Sequence, residues 1–331
     1  MKGRKGLLKS LVSLAVALVL LYFFFRGTDF RSFWNYLRGA NPIYLLGFAL
    51  GLVVFYWIRA LRWRLLYQGD GVPGVTEFFK ANVLGFSLNY LLPGRLGEVA
   101  RAVYISRKSN YSTGYSVATV VVERFFDFFS MGVLLLLYLV SFPVSAVNLR
   151  GNLSTIIAVS FVATLMLIMG ILLLAHLWKR GRLHYIGKIL ALFPVSLREK
   201  LRNSGRSFLQ GLFFFSSPRR AVYFILLGFL VWLAVAFQYW LGLKAFGINR
   251  PLPQIIPFIG VLLVGVSIPT PGMAGGFEVA SKFFIVEVWK YSASKAVAAT
   301  LTLHVILLLV TLLMGALVGL KEGFKLGRQR Q

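Results

Sequence analysis

Glu123, Arg124 and Asp127 fall within little more than one helical turn of an otherwise apolar run, ATVVVERFFDFF. A charged side chain at the centre of a membrane helix costs roughly 2.5–3.5 kcal/mol on insertion scales, so three together must pair with one another or face a wet cavity. Glu123 and Asp127 are four residues apart and share one helix face. Two readings fit: an Arg124–Asp127 pair that ties helices together, or a polar wall that meets a substrate. Five more residues carry similar chemistry. Arg95, Glu98 and Arg101 cluster before that run, while Glu278 and His304 stand in the second half of the chain. The guanidinium groups suit phosphate, and the carboxylates suit a cationic group or a proton. A lone imidazole such as His304 fits either helix packing or proton relay.

The segments that position these residues contain a short pattern twice, LLPGRLGEVARAVYI (Leu91 to Ile105) and PTPGMAGGFEVASKFFI (Pro269 to Ile285). Proline removes a backbone donor and glycine weakens a helix, so Pro93, Gly94 and Gly97, and then Pro271, Gly272, Gly275 and Gly276, are predicted helix breaks. Hydrocarbon does not tolerate broken backbone unless protein buries it or it lines a polar cavity, and a matched pair in two halves of a chain points to a transporter-type site. Glu98 and Glu278 then sit in the first turn of the helix after each break. There a carboxylate either caps the helix or binds a ligand beside exposed amides. Asn82, Ser87, Asn89, Ser267 and Thr270 line the path or make packing hydrogen bonds.

Composition sets the wider frame. Hydrophobic residues make up 58% of the chain and mean hydropathy is +0.77, which excludes an ordinary soluble domain and predicts an all-α polytopic membrane protein. Six spans are expected: Leu7 to Phe25, Pro42 to Ile58, Tyr115 to Val140, Ser154 to Trp178, Ala221 to Leu243 and Ala296 to Leu320. Two re-entrant hairpins, at about 74–106 and 252–290, join them. The net charge of +26 sits mostly in short loops, which indicates anionic lipid rather than nucleic acid. Placing the N-terminus, an Arg59, Arg62, Arg64 loop, the 179–220 connection and the C-terminal tail on the cytoplasmic side gives N-in, C-in. The chain then divides into repeats 1–150 and 151–331 of three crossings each. An odd number inverts the second copy, so the hairpins enter from opposite sides and their tips meet. Setting Thr119 against Thr300 places Glu123 opposite His304.

Other features are narrower. The chain lacks cysteine, so thiolate chemistry and disulfides are excluded. No metal-ligand spacing occurs around His176, His184 or His304, no G-x-x-x-x-G-K-[ST] pattern is present, and neither metal nor cofactor is expected. The 182–220 stretch alternates basic and apolar residues and reads as an interfacial amphipathic segment. Phe30, Trp34, Trp57, Trp63, Trp178 and Trp289 fit interfacial belts.

NYLLPGRLGEVARAVYI followed by ATVVVERFFDFF resembles the membrane domain of the lysylphosphatidylglycerol synthase/flippase family, and PTPGMAGGFEVA resembles its second signature. The resemblance implies inverted repeats around a lipid-accessible cavity, with Pro93, Arg95, Gly97, Glu98, Arg101, Glu123, Arg124 and Asp127 matching the first motif and Pro271, Gly272, Gly276 and Glu278 the second. Met273 and Ala274 interrupt a signature that usually reads closer to P-G-G-x-G. Because the chain ends at Gln331, the family's soluble aminoacyltransferase activity is not expected. The implied function is a non-enzymatic lipid flippase of the plasma membrane. It would act on anionic phospholipid or polyprenyl-phosphate-linked lipid, and a second copy or a separately encoded lipid-modifying enzyme would be its protein partner. A membrane enzyme for lipid-linked substrates and a non-transporting scaffold are the alternatives.

Overall fold

The computed structural model describes residues 15–92, 95–142, 218–268 and 270–328, and every regular element among them is helical. Ten helices follow in order: α1 Ala15–Phe25, α2 Phe30–Arg38, α3 Pro42–Arg64, α4 Val75–Leu91, α5 Leu96–Lys108, α6 Thr113–Ser141, α7 Pro218–Lys244, α8 Ile255–Val266, α9 Gly276–Phe283 and α10 Ala293–Arg328. Local chemistry sets several starts. Asp29 accepts from the amides of Arg31 and Ser32 at α2, Asn41 accepts from Ile43 with Pro42 opening α3, and Ser112 accepts from Tyr115 at α6. Pro93, Gly94, Pro269, the expected span Ser154 to Trp178, most of the 182–220 segment and the start of the Leu7 to Phe25 span lie outside the described residues.

Three described helices, Pro42–Arg64, Pro218–Lys244 and Ala293–Glu322, are long and apolar enough to cross a membrane. Helix α6 has the length, at 29 residues, but Glu123, Arg124 and Asp127 interrupt its apolar character. One expectation needs correction. Arg59 and Arg62 do not lie in a loop, because α3 continues past Ile58 to Arg64 and buries both side chains at 2% and 0% exposure. Trp63 and Trp289 are likewise buried rather than interfacial, while Phe30, Trp34 and Trp57 are exposed as a belt requires.

Helix α3 packs on α7 through Gly47 and Gly51, a small-xxx-small stripe. Side chains on those glycines would press on Leu241 and Gln238, and the Gln238 amide donates to the Phe48 carbonyl at 2.9 Å. The two hairpins, α4/α5 and α8/α9, open at opposite ends of the bundle. At one end, Lys80 and Lys108 pair with Glu322 near the end of α10, at 2.8 and 2.9 Å, and Tyr104 donates to Glu77. At the other, the Lys282 ammonium donates to the Phe24 and Arg26 carbonyls, the Asp29 amide donates to Ser294 at the start of α10, and the Asn41 amide donates to the Ala245 carbonyl. The hairpins are therefore inverted with respect to each other.

Each hairpin closes on a pair of glycines. Gly85 of α4 faces Gly97 of α5, and Gly265 of α8 faces Gly276 of α9. A Cβ on Gly97 or Gly276 would collide with the carbonyl oxygen of its partner glycine. Gly97→Ala and Gly276→Ala are thus expected to cost about 1–3 kcal/mol or more by overpacking and to lower the unfolding temperature in detergent. Gly74→Ala, where an added Cβ meets only Thr76 at 3.7 Å, should leave it unchanged.

Candidate functional site

The hairpin tips meet at a cavity of about 390 Å³. Arg95 begins α5 in a left-handed conformation, φ 55°, and its guanidinium donates to the Val266 carbonyl at 2.9 Å. That contact satisfies a free carbonyl at the C-terminal end of α8 and joins the two tips. Arg59, Arg95, Glu98, Arg124, Asp127 and His304 supply the charged and titratable lining. Phe128, Trp232, Leu262 and Val266 contribute apolar surface among them. Asn89 and Ser267 also reach the cavity, whereas Ser87 makes packing bonds to the Val83 and Thr311 carbonyls at 2.8 Å.

Behind the charged wall lies a buried ionic core built by three helices. Arg62 of α3 is 2.6 Å from Asp127 and 3.3 Å from Glu123, and Arg59 is 3.1 Å from Asp127. Arg101 of α5 is 2.8 Å from both Glu123 and the Asn82 side-chain oxygen, and lies over the Trp63 ring at 4.5 Å. Two carboxylates on one face of α6 thus receive three cations, each also held against an aromatic ring. Arg124 leans out of this core, 3.4 Å from both Glu98 and Asp127, and remains partly exposed. Arg59 borders the cavity, with its Nη2 3.7 Å from Glu123 and its Nε buried without a hydrogen-bond partner. Such a wall favours an anion with several acceptor oxygens.

The sequence-derived candidates divide accordingly. Arg95, Glu98, Arg124, Asp127 and His304 line the cavity, Arg101 and Glu123 stand in the core behind it, and Glu278 touches it through His304. Glu278 does both things its position allowed: one carboxylate oxygen accepts the Gly275 amide at 2.7 Å as a cap, and the other meets His304 Nδ1 at 2.5 Å. In the first hairpin Asn89 performs a similar task by accepting the Gly97 amide at 2.9 Å, which leaves Glu98 free for Arg124. Both glutamates reach the residue 26 positions later. By its contact with the hairpin glutamate, His304 corresponds to Arg124, one residue away from the register that sets Thr119 against Thr300. Among the described residues no cluster of three His, Asp or Glu could hold a metal. Sequence reasoning missed Arg59 and Arg62. Their three-residue spacing on a helix with no breaker before Gly69 was the available signal.

Residues 10–315 match the family model described as the lysylphosphatidylglycerol synthase TM region. A UPF0104 membrane protein of Methanothermobacter thermautotrophicus is 25% identical over 257 residues, covering 73% of this chain and 75% of that protein. No solved structure matches.

The ionic core and the cavity wall should separate on mutation. Glu123→Ala strands Arg62 and Arg101 without their shared carboxylate, an expected loss of about 3–5 kcal/mol, and should abolish a monodisperse size-exclusion peak. Arg124→Ala removes a partly exposed group and should elute as wild type.

Proposed function

The chain belongs to the lysylphosphatidylglycerol synthase TM-region family, and on that footing we propose that it carries a polar, phosphate-bearing lipid headgroup between the two leaflets of the plasma membrane. The observation that carries this reading is the cavity at the hairpin tips, whose lining sets charged side chains among apolar ones. A lipid presents both characters, with a headgroup for Arg59, Arg95 and Arg124 and acyl chains that stay among Phe128, Trp232, Leu262 and the surrounding bilayer. Glu98 and Asp127 balance those cations and take a headgroup amine where there is one.

Residues 1–150 and 151–331 act as two inverted repeats in this reading, each lending one hairpin to the path. The end of the bundle bearing Lys80, Lys108 and the C-terminal part of α10 faces the cytoplasm, as the positive-inside rule directs. The first hairpin then opens to the cytoplasm and the second to the outside. Anionic phospholipid and polyprenyl-phosphate-linked lipid share the phosphate that these arginines would bind, and either would be delivered by the membrane itself or by a lipid-modifying enzyme.

The test is headgroup flipping in proteoliposomes, read with fluorescent phospholipids of varied headgroup and a membrane-impermeant quencher. Wild type is expected to move phosphate-bearing anionic lipid, and Glu98→Gln and Arg124→Ala to slow it by at least tenfold while remaining folded. Conversion of a lipid-linked substrate into product by the purified protein would establish an enzyme instead. Folded variants with undiminished flipping would remove the cavity from the path.

A further inference from the structure

Glu98 and Glu278 hold equivalent places, the first turn of the second helix in each hairpin, and each contacts the residue 26 positions later on the next long helix. In the first hairpin that residue is Arg124, and in the second it is His304. The two pairs differ in one chemical respect. A guanidinium keeps its charge at every pH a cell meets, whereas imidazole is the side chain suited to changing charge between about pH 5 and 8. One hairpin thus sets its glutamate against a permanent cation and the other against an imidazole.

We propose that Glu278 and His304 form a proton-binding site that couples movement of an anionic lipid headgroup to movement of a proton in the same direction. The proposal rests on the lipid-transport reading of the cavity and adds its coupling ion. His304 is buried at 7% exposure yet lines the cavity. Its Nδ1 is engaged by Glu278, which leaves Nε2 to take a proton from cavity water. With Nδ1–H donated to the carboxylate, the unprotonated pair carries one negative charge. A proton on Nε2 makes the pair neutral and adds one positive charge to the wall. An anionic headgroup entering then finds a better site, and when the headgroup leaves on the far side the same proton returns to water there.

The surroundings of the imidazole favour this use. From α9 it meets Glu278 and the Phe277 ring at 4.7 Å, and from α4 the Tyr90 ring at 6.2 Å. On α7, Tyr239 packs against Phe277, and on α3, Tyr56 is bonded to Thr311 of α10 itself. Lys282, one turn beyond Glu278, is committed to the Phe24 and Arg26 carbonyls. Among the described residues no lysine or arginine pairs with Glu278, whose partners are His304 and the Gly275 amide. Arg59, Arg95, Glu98, Arg124 and Asp127 share the cavity and would feel the added charge directly.

The experiment uses the full-length protein in vesicles of phosphatidylethanolamine and phosphatidylglycerol with labelled phosphatidylglycerol, the membrane potential clamped by potassium and valinomycin. Under a gradient of one pH unit, one proton per lipid predicts an approximately tenfold excess of labelled lipid in the leaflet facing the alkaline side. A protonophore should return that ratio to one. His304→Arg, which gives the second repeat the fixed cation of the first, should hold the ratio near one with the gradient present, and His304→Gln provides the same readout if the arginine variant does not fold. An even ratio in wild type under the gradient, or a gradient-dependent ratio in both variants, would overturn the coupling alone. No movement of any labelled lipid by wild type would overturn the transport reading and the coupling with it.

Discussion

A carboxylate held where water is excluded needs a cation at contact distance, and the architecture of this chain follows from meeting that need twice on one helix. Glu123 and Asp127 draw Arg59 and Arg62 from α3 and Arg101 from α5. The three helices are fixed together by charge as much as by shape, since removing either carboxylate leaves buried arginines uncompensated. The arrangement also has a direction. Its inner members satisfy each other, while Arg59, Arg124 and Asp127 reach the cavity and give it an electrostatic character that the apolar helices around it lack.

Much of this was legible in the sequence, for reasons that can be named. The long helices follow from apolar run length, whereas the caps at Asp29, Asn41 and Ser112 emerge only in the structure. The paired breaks follow from Pro-Gly dipeptides where lipid would punish loose backbone. The failure at Arg59 and Arg62 is equally physical: hydropathy ends a span at its first charges, whereas a helix ends where its backbone is broken, and nothing breaks α3 before Arg64. The charges on α6 were themselves a clue, since Glu123 and Asp127 outnumber Arg124 and therefore required cations from elsewhere. Trp63 and Trp289 read as interfacial because proximity to a helix end was the only cue, yet Trp63 is needed inside to donate to Thr119 and cover Arg101. The repeat register was off by one for a similar reason. Matching threonines aligned residue types, while the pairs made by Glu98 and Glu278 align partners.

The second hairpin departs from the first at its tip. Met273 stands at φ 61°, a left-handed conformation that costs an L-residue about 1–2 kcal/mol and that the glycine usual to the related signature would adopt freely. Gly272 and Gly275, at φ 61° and 88°, take the remaining unusual turns. The tip is thus held by its surroundings rather than by the preferences of its own residues, with the Gly265–Gly276 contact close behind it and Arg95 bound to Val266 across the gap.

Helix α10 touches both hairpins along its length. Thr300 bonds Ser281, His304 meets Glu278, Thr311 accepts from Ser87 of the opposite hairpin, Gly315 lies against that same serine, and Glu322 holds Lys80. At 36 residues it is roughly 54 Å long, well beyond the thickness of the hydrocarbon layer. A stiff rod fastened to two oppositely opening hairpins links them mechanically: a tilt or slide at one hairpin loads the other through a single piece of backbone.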